Sequence, residues 1–209
     1  MLALPFCAVA LLWDKLPGRL PVHWNIDGEI DGYAGKAFAA LCVPVSNVLA
    51  VALIGVVVLI DPRMRRQPPE TRASSLKAIK AVRLVVSFFL TAVSLTMLGI
   101  GAGLSLDLPR IVGAGLALLF LVFGNVMGKL RPNYFVGIRT PWTLEDPEVW
   151  LKTLRLAGKL MVVGSLVLLA GCLVLPPAAY IYLCLPAIGV MALVPVVYSF
   201  VLYKKQHSI

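Results

Sequence analysis

Five runs of this chain, residues 37–60, 84–106, 111–128, 160–179 and 181–203, contain no Asp, Glu, Lys, Arg or His. Each is ~18 to 25 residues long, the length a helix needs to cross ~30 Å of hydrocarbon. Inside a bilayer only helices and closed barrels satisfy every backbone group, and these runs lack the strict alternation of barrel strands. The chain is 60% hydrophobic with a mean hydropathy of +0.91, more than a soluble domain of 209 residues could bury. An all-α integral membrane protein is therefore expected.

Residues 1–13 are apolar too, but short for a span, and Asp14-Lys15 closes them. A signal peptide would need a basic leader and a small-residue cleavage site, which are missing. A first membrane helix extended through Leu16 is expected instead, with bilayer thinning or snorkelling covering the mismatch. Lys and Arg set the orientation. Seven lie in 61–83, six in 129–159 and two at Lys204-Lys205, against four in 14–36 and 107–110. Fifteen against four predicts six spans with both termini in the cytoplasm. The net charge of +9 then belongs to short membrane loops, which argues against nucleic-acid binding. Three parts follow: 1–60, two spans with a compact outer loop; 61–83, a basic cytoplasmic loop; and 84–209, four spans holding a polar loop at 125–158.

In the outer loop, Pro17-Gly18, Asp27-Gly28 and Asp31-Gly32 predict successive tight turns. His23, Trp24 and Tyr33 suit the lipid–water boundary. Asp27, Glu29 and Asp31 alternate, but the distal Glu of a calcium-binding loop is absent, so a solvated acidic rim is expected and no metal. Cys7, Cys42, Cys172 and Cys184 lie in or beside apolar runs without metal-ligand spacing and read as small packing residues. Gly99-x-x-x-Gly103 would let helices approach closely, within the monomer or across a homodimer.

The polar run NVMGKLRPNYFVGIRTPWTLEDPEVW, residues 125–150, is dense with residues that cap, anchor and recognise. Asn125 stands at the end of a span. Arg131, Asn133 and Gly137 lie in predicted turns, and Pro141 forces Thr140 to be extended. Asp146-Pro147-Glu148 is a helix start, with Asp as N-cap and Pro at the first helical position. Residues 147–159 put Val149, Trp150, Thr153, Leu154 and Ala157 on one face, with Lys152 and Arg155 on the other. That pattern predicts an amphipathic helix lying on the inner leaflet before the fifth span.

These residues resemble the signature of the SdpI family of bacterial membrane proteins, from Gly124 to about Gly158. The N-terminal Leu16-Pro17, Pro21-Val22-His23-Trp24, Gly28 and Asp31-Gly32-Tyr33 are similar to a small membrane domain of unknown function, DUF1648. The family often carries His or Asn ahead of the surface-helix Arg; here Leu154 precedes Arg155. The resemblance implies a protein of the bacterial cytoplasmic membrane that gives immunity to a secreted, membrane-active peptide toxin. It also implies signalling by holding a transcriptional repressor at the membrane. Toxin arriving from outside would meet His23, Trp24, Asn25, Asp27, Asp31 and Tyr33. A partner inside, or membrane lipid, would meet Asn125, Arg131, Asn133, Gly137, Arg139, Thr140, Pro141, Trp142, Trp150 and Arg155.

The other function class is a small transporter or channel component. Ion coupling through buried carboxylates is excluded, because the five runs carry none. His23 falls outside while Arg139 and Thr140 fall inside, so no base and nucleophile can meet. No catalytic residue and no cofactor is expected.

Overall fold

A computed structural model describes residues 1–207. Helix α1 spans Ala3–Leu12, and a hairpin of β1 (Arg19–Trp24) and β2 (Ile30–Gly35) follows. The remaining helices are α2 (Lys36–Ile60), α3 (Pro62–Arg65), α4 (Pro69–Gly101), α5 (Leu108–Met127), α6 (Pro141–Glu145), α7 (Pro147–Val174) and α8 (Pro177–Gln206). Five of these, α2, α4, α5, α7 and α8, are long and apolar enough to cross a membrane. One end of the bundle gathers residues 61–68, the loop 128–146 and the C-terminal end of α8, and is rich in Lys and Arg. The opposite end carries the hairpin and the short connections 102–107 and 175–176.

The sixth expected span is not a full one. Helix α1 has 10 residues, roughly 15 Å or half the hydrocarbon thickness. It ends at Leu12, a 3-10 turn covers Trp13–Lys15, and Leu16 is already extended ahead of Pro17. A residue before proline is pushed out of the helical region, so the helix cannot run through Leu16. Val9, Leu16, Leu20, Ala39, Ala40 and Leu98 form one apolar cluster that ties α1 and the hairpin to α2 and α4.

The outer loop is also more regular than its turn residues suggested. Its strands pair antiparallel, from Arg19 opposite Gly35 to Trp24 opposite Ile30, with irregular steps on both sides of His23. The Asn25 side-chain oxygen accepts the amides of Asp27 (3.0 Å) and Glu29 (2.9 Å) and closes the turn. Gly28 supplies the positive φ, +85°, that the turn needs.

The expected surface helix before the fifth span does not exist as a separate element. Residues 147–159 are the first turns of α7, which runs unbroken for 28 residues. The buried side chains Trp150, Leu154, Ala157, Ser165, Leu168 and Cys172 step by three, four or eight and carry one stripe through the expected junction. A helix whose buried face keeps its phase has no reason to bend onto a bilayer. Val149, Trp150, Thr153 and Ala157 are fully covered by protein, not lipid.

Close packing falls elsewhere than Gly99-x-x-x-Gly103. Gly103 lies past the end of α4 with φ +94° and nothing near its Cα hydrogen. The tight crossing is between α5 and α7, where a Cβ on Gly124 would sit 2.7 Å from the Gly158 carbonyl oxygen, and the reverse. Within α2, Asn47 is buried and donates to the Ser87 carbonyl (3.2 Å) and the Thr91 hydroxyl (3.1 Å) of α4, an interhelical polar bond inside an apolar bundle.

Candidate functional site

At the basic end, the run 128–146 folds into a compact cap on the bundle. Asn133 is buried and organises its first turn. Its amide donates to the carbonyls of Arg131 and Val136 (both 2.9 Å), while its oxygen accepts the amides of Phe135 (2.9 Å) and Val136 (2.7 Å). That satisfies all of its hydrogen-bonding capacity, so Asn133 is a scaffold residue. Gly137 has φ +123°, and a side chain there would press on the Trp150 ring. Trp150 is fully buried and donates its indole N–H to the Leu130 carbonyl (3.1 Å). It packs with Met64, Ile79, Met127 and Leu154 and is a core residue, not an interfacial anchor.

The second half of the cap is clamped onto α8. Thr140 is extended, caps α6, and exchanges hydrogen bonds with Thr143. Its hydroxyl lies 3.3 Å from that of Ser199. Trp142 donates its indole N–H to the same Ser199 hydroxyl and lays its ring on Phe200, centroids 5.1 Å apart. Tyr203 donates to the Glu145 carboxylate at 2.8 Å. Pro141 is exposed at the first position of α6. Asp146 caps α7 through the amides of Glu148 (2.7 Å) and Val149 (3.2 Å), and Lys152 pairs with Glu148 at 2.6 Å.

Three residues absent from the expectation hold the cap from the other side. Asp61 is buried between α2 and α3, and its two oxygens accept the amides of Met64 (3.0 Å) and Tyr134 (2.8 Å). Arg63 donates to the Leu144 carbonyl (3.1 Å) and lies over the Tyr134 ring at 4.4 Å. Gln67 donates to the Pro132 carbonyl (3.3 Å). The Asp61-Pro62 pair is the same helix-start signal as Asp146-Pro147, so the cap on α3 was readable, but its reach to Tyr134 was not. The cap leaves Lys129, Arg131, Tyr134, Phe135, Arg139, Pro141 and Glu145 exposed, with Arg155 on the adjoining flank of α7. Arg139 still reaches back to the Tyr134 carbonyl. Asn125 is exposed on α5, away from this set of bonds.

At the opposite end, His23 Nδ1 and Asp31 Oδ1 meet at 2.5 Å across the hairpin. Asp27 and Tyr33 point to the surroundings. His23, Trp24 and Asn25 border a cavity of about 440 Å³ between the hairpin, α5, the end of α7 and α8. Asp27, Asp31 and Tyr33 do not border it.

Residues 129–199 match the SdpI/YfhL protein family, and residues 1–47 match a domain of unknown function, DUF1648. The family match begins at the start of the cap and ends at Ser199, the residue on which Thr140 and Trp142 converge. The chain is 27% identical over 171 residues to the immunity protein SdpI of Bacillus subtilis (strain 168), covering 80% of this chain and 76% of that protein. No solved structure matches the chain.

Proposed function

We propose that this chain, a multi-pass cell-membrane protein of SdpI type, gives its cell immunity to a secreted, membrane-active peptide toxin. The observation that carries the reading is the similarity to a named immunity protein across four-fifths of the chain. The excess of Lys and Arg at the capped end supports a cytoplasmic cap and an external hairpin, on the side from which a toxin arrives. His23, Trp24 and Asn25 are then its first contacts. Arg131, Arg139, Pro141 and Arg155 are the exposed face for anionic lipid or for a cytoplasmic partner such as a transcriptional repressor. Trp142 supports that face indirectly, by fastening the cap to Ser199 and Phe200.

The test is replacement. Bacillus subtilis strain 168 without its own immunity protein is given this chain, and survival is compared with the parent and the empty strain. Restored survival is expected. Killing at the empty-strain level, with the protein present in the membrane, sinks the reading.

A further inference from the structure

Of the fifteen Lys and Arg at the basic end, Lys152 alone among the described residues forms an ion pair, with Glu148. Most of the others are exposed. Arg83 is not. It stands half-buried in α4, directly ahead of the uncharged run 84–106, and its guanidinium lies across the neighbouring helix α2. A Cβ on Gly55 would sit 3.6 Å from Arg83 Nη1, 3.7 Å from Cζ and 3.8 Å from Nη2. Three nearly equal distances put the flat of the guanidinium against α2, with its N–H edge turned away from the helix. A long side chain at 55 would take the space that the guanidinium fills.

Gly55 lies six residues before Asp61, so this charge rests roughly 9 Å on the membrane side of the end of α2. No acid of either helix reaches it. Glu70 is the one acid in α4, thirteen positions back and roughly 20 Å along the axis. Asp61 gives its two oxygens to the amides of Met64 and Tyr134. A bare guanidinium at the edge of hydrocarbon is costly.

A second arginine comes to the same flank. Residues four apart share a helix face, so Leu59 lies one turn beyond Gly55. Its carbonyl accepts Arg65 Nε at 2.8 Å, which fixes that guanidinium and leaves both Nη groups for another acceptor. Lys80, exposed one turn from Arg83 toward the basic end, adds a third positive charge. Beside these groups Val56, Ile60 and Leu84 turn apolar surface outward, each at least half exposed.

Charge and depth together define the occupant. Two guanidinium forks on one flank call for an oxyanion. Its place inside the helix end and the apolar wall beside it call for hydrocarbon chains attached to that oxyanion. A zwitterionic headgroup would bring its ammonium among three cations. We propose that the flank of α2 from Gly55 to Leu59 binds an anionic phospholipid, its phosphate on Arg83 and Arg65 and its acyl chains along Val56, Ile60 and Leu84. The site is separate from the exposed face of the cap and from the hairpin, and it does not depend on the immunity reading.

The experiment titrates the full chain, in detergent micelles, with dioleoylphosphatidylglycerol and counts lipid-bound states by native mass spectrometry. Dioleoylphosphatidylcholine keeps phosphate and chains without net charge; glycerol phosphate keeps the anion without chains. Phosphatidylglycerol should bind at least about fivefold tighter than phosphatidylcholine, the contribution of one cation at an anionic surface. Glycerol phosphate at equal concentration should not displace it. Arg83→Gln and Arg65→Gln should each weaken binding by about fivefold. Gly55→Leu, which removes no charge and fills the seat of the guanidinium, should weaken it similarly. Lys205→Gln removes one charge from the same end, away from the site, and should leave binding unchanged. Arg65 is exposed, so its variant decides the matter if Arg83→Gln does not fold. Equal binding of the two lipids overturns the anionic headgroup, and displacement by glycerol phosphate overturns the lipid in favour of free phosphate. Binding unchanged by Gly55→Leu removes it from α2. Equal losses from Lys205→Gln and the arginine variants overturn the site and leave only diffuse attraction to a basic surface.

Discussion

Single residues at the capped end divide into those that build the cap and those it displays. Asp61 is the builder with the longest reach, bonding an amide 73 positions away. Asp61→Ala removes the acceptor of the buried Met64 amide, a loss of about 1–3 kcal/mol, and that of the half-buried Tyr134 amide, which costs less. Thermal unfolding of the detergent-solubilised protein should shift downward accordingly, and Asp61→Asn, which keeps an acceptor, should shift less. Arg139→Ala removes an exposed charge whose one bond is to a neighbouring carbonyl, so its membrane level should hold while survival in the replacement assay falls. Equal survival would confine Arg139 to lipid contact. Asp146 as a cap and the extended Thr140 were legible because both follow from the neighbouring proline and residues within one turn. Asp61, Ser199 and the burial of Trp150 were not, because each depends on a partner that only the folded bundle brings near.

At the scale of elements, the sequence reading placed α2, α5 and α8 closely and divided α7 wrongly. Lys152, Arg155 and Lys159 suggested a surface helix that ends where the apolar run begins. Yet they occupy the outer side of a helix whose buried stripe never changes phase. Charge marks where the membrane stops; it does not mark where a helix stops. The hairpin escaped for a different reason. Its six-residue strands include Pro21, Gly32 and Gly35 and an irregular step at His23, all of which blur the alternation that announces a strand. The α5–α7 crossing offers the sharpest test of packing. Gly158→Ala would force its Cβ to 2.7 Å from the Gly124 carbonyl, an overpacking that costs about 1–3 kcal/mol. Gly189→Ala, with nothing within 4 Å, should leave the melting temperature unchanged or raise it, as alanine is the better helix former by about 1 kcal/mol. Equal effects of the two substitutions would contradict the close crossing.

For the whole molecule, orientation is the property the residue count argues most directly. Alkaline phosphatase fused after Leu104 should be active, and fused after Gln67 inactive, while green fluorescent protein at the C-terminus should fluoresce. Activity after Gln67 would invert the molecule and exchange the roles of its two ends. Membrane character and five of the spans were legible because the cost of unpaired backbone in hydrocarbon leaves so few solutions. The cavity was not, since it lies among residues from four segments that the sequence keeps far apart.

The way α8 is held also makes the molecule mechanically lopsided. Near Ser199 and Tyr203 the helix is bolted to α6 by hydroxyl, indole and carboxylate bonds, whereas its first turns border a cavity and carry one side-chain bond to a neighbouring helix, from Tyr180 to the Gly113 carbonyl. Such a helix behaves as a cantilever, stiff at its anchored end and compliant at the other. Backbone amides near residues 181–185 should therefore exchange hydrogen faster than those near 197–201, although both stretches are equally greasy and equally helical.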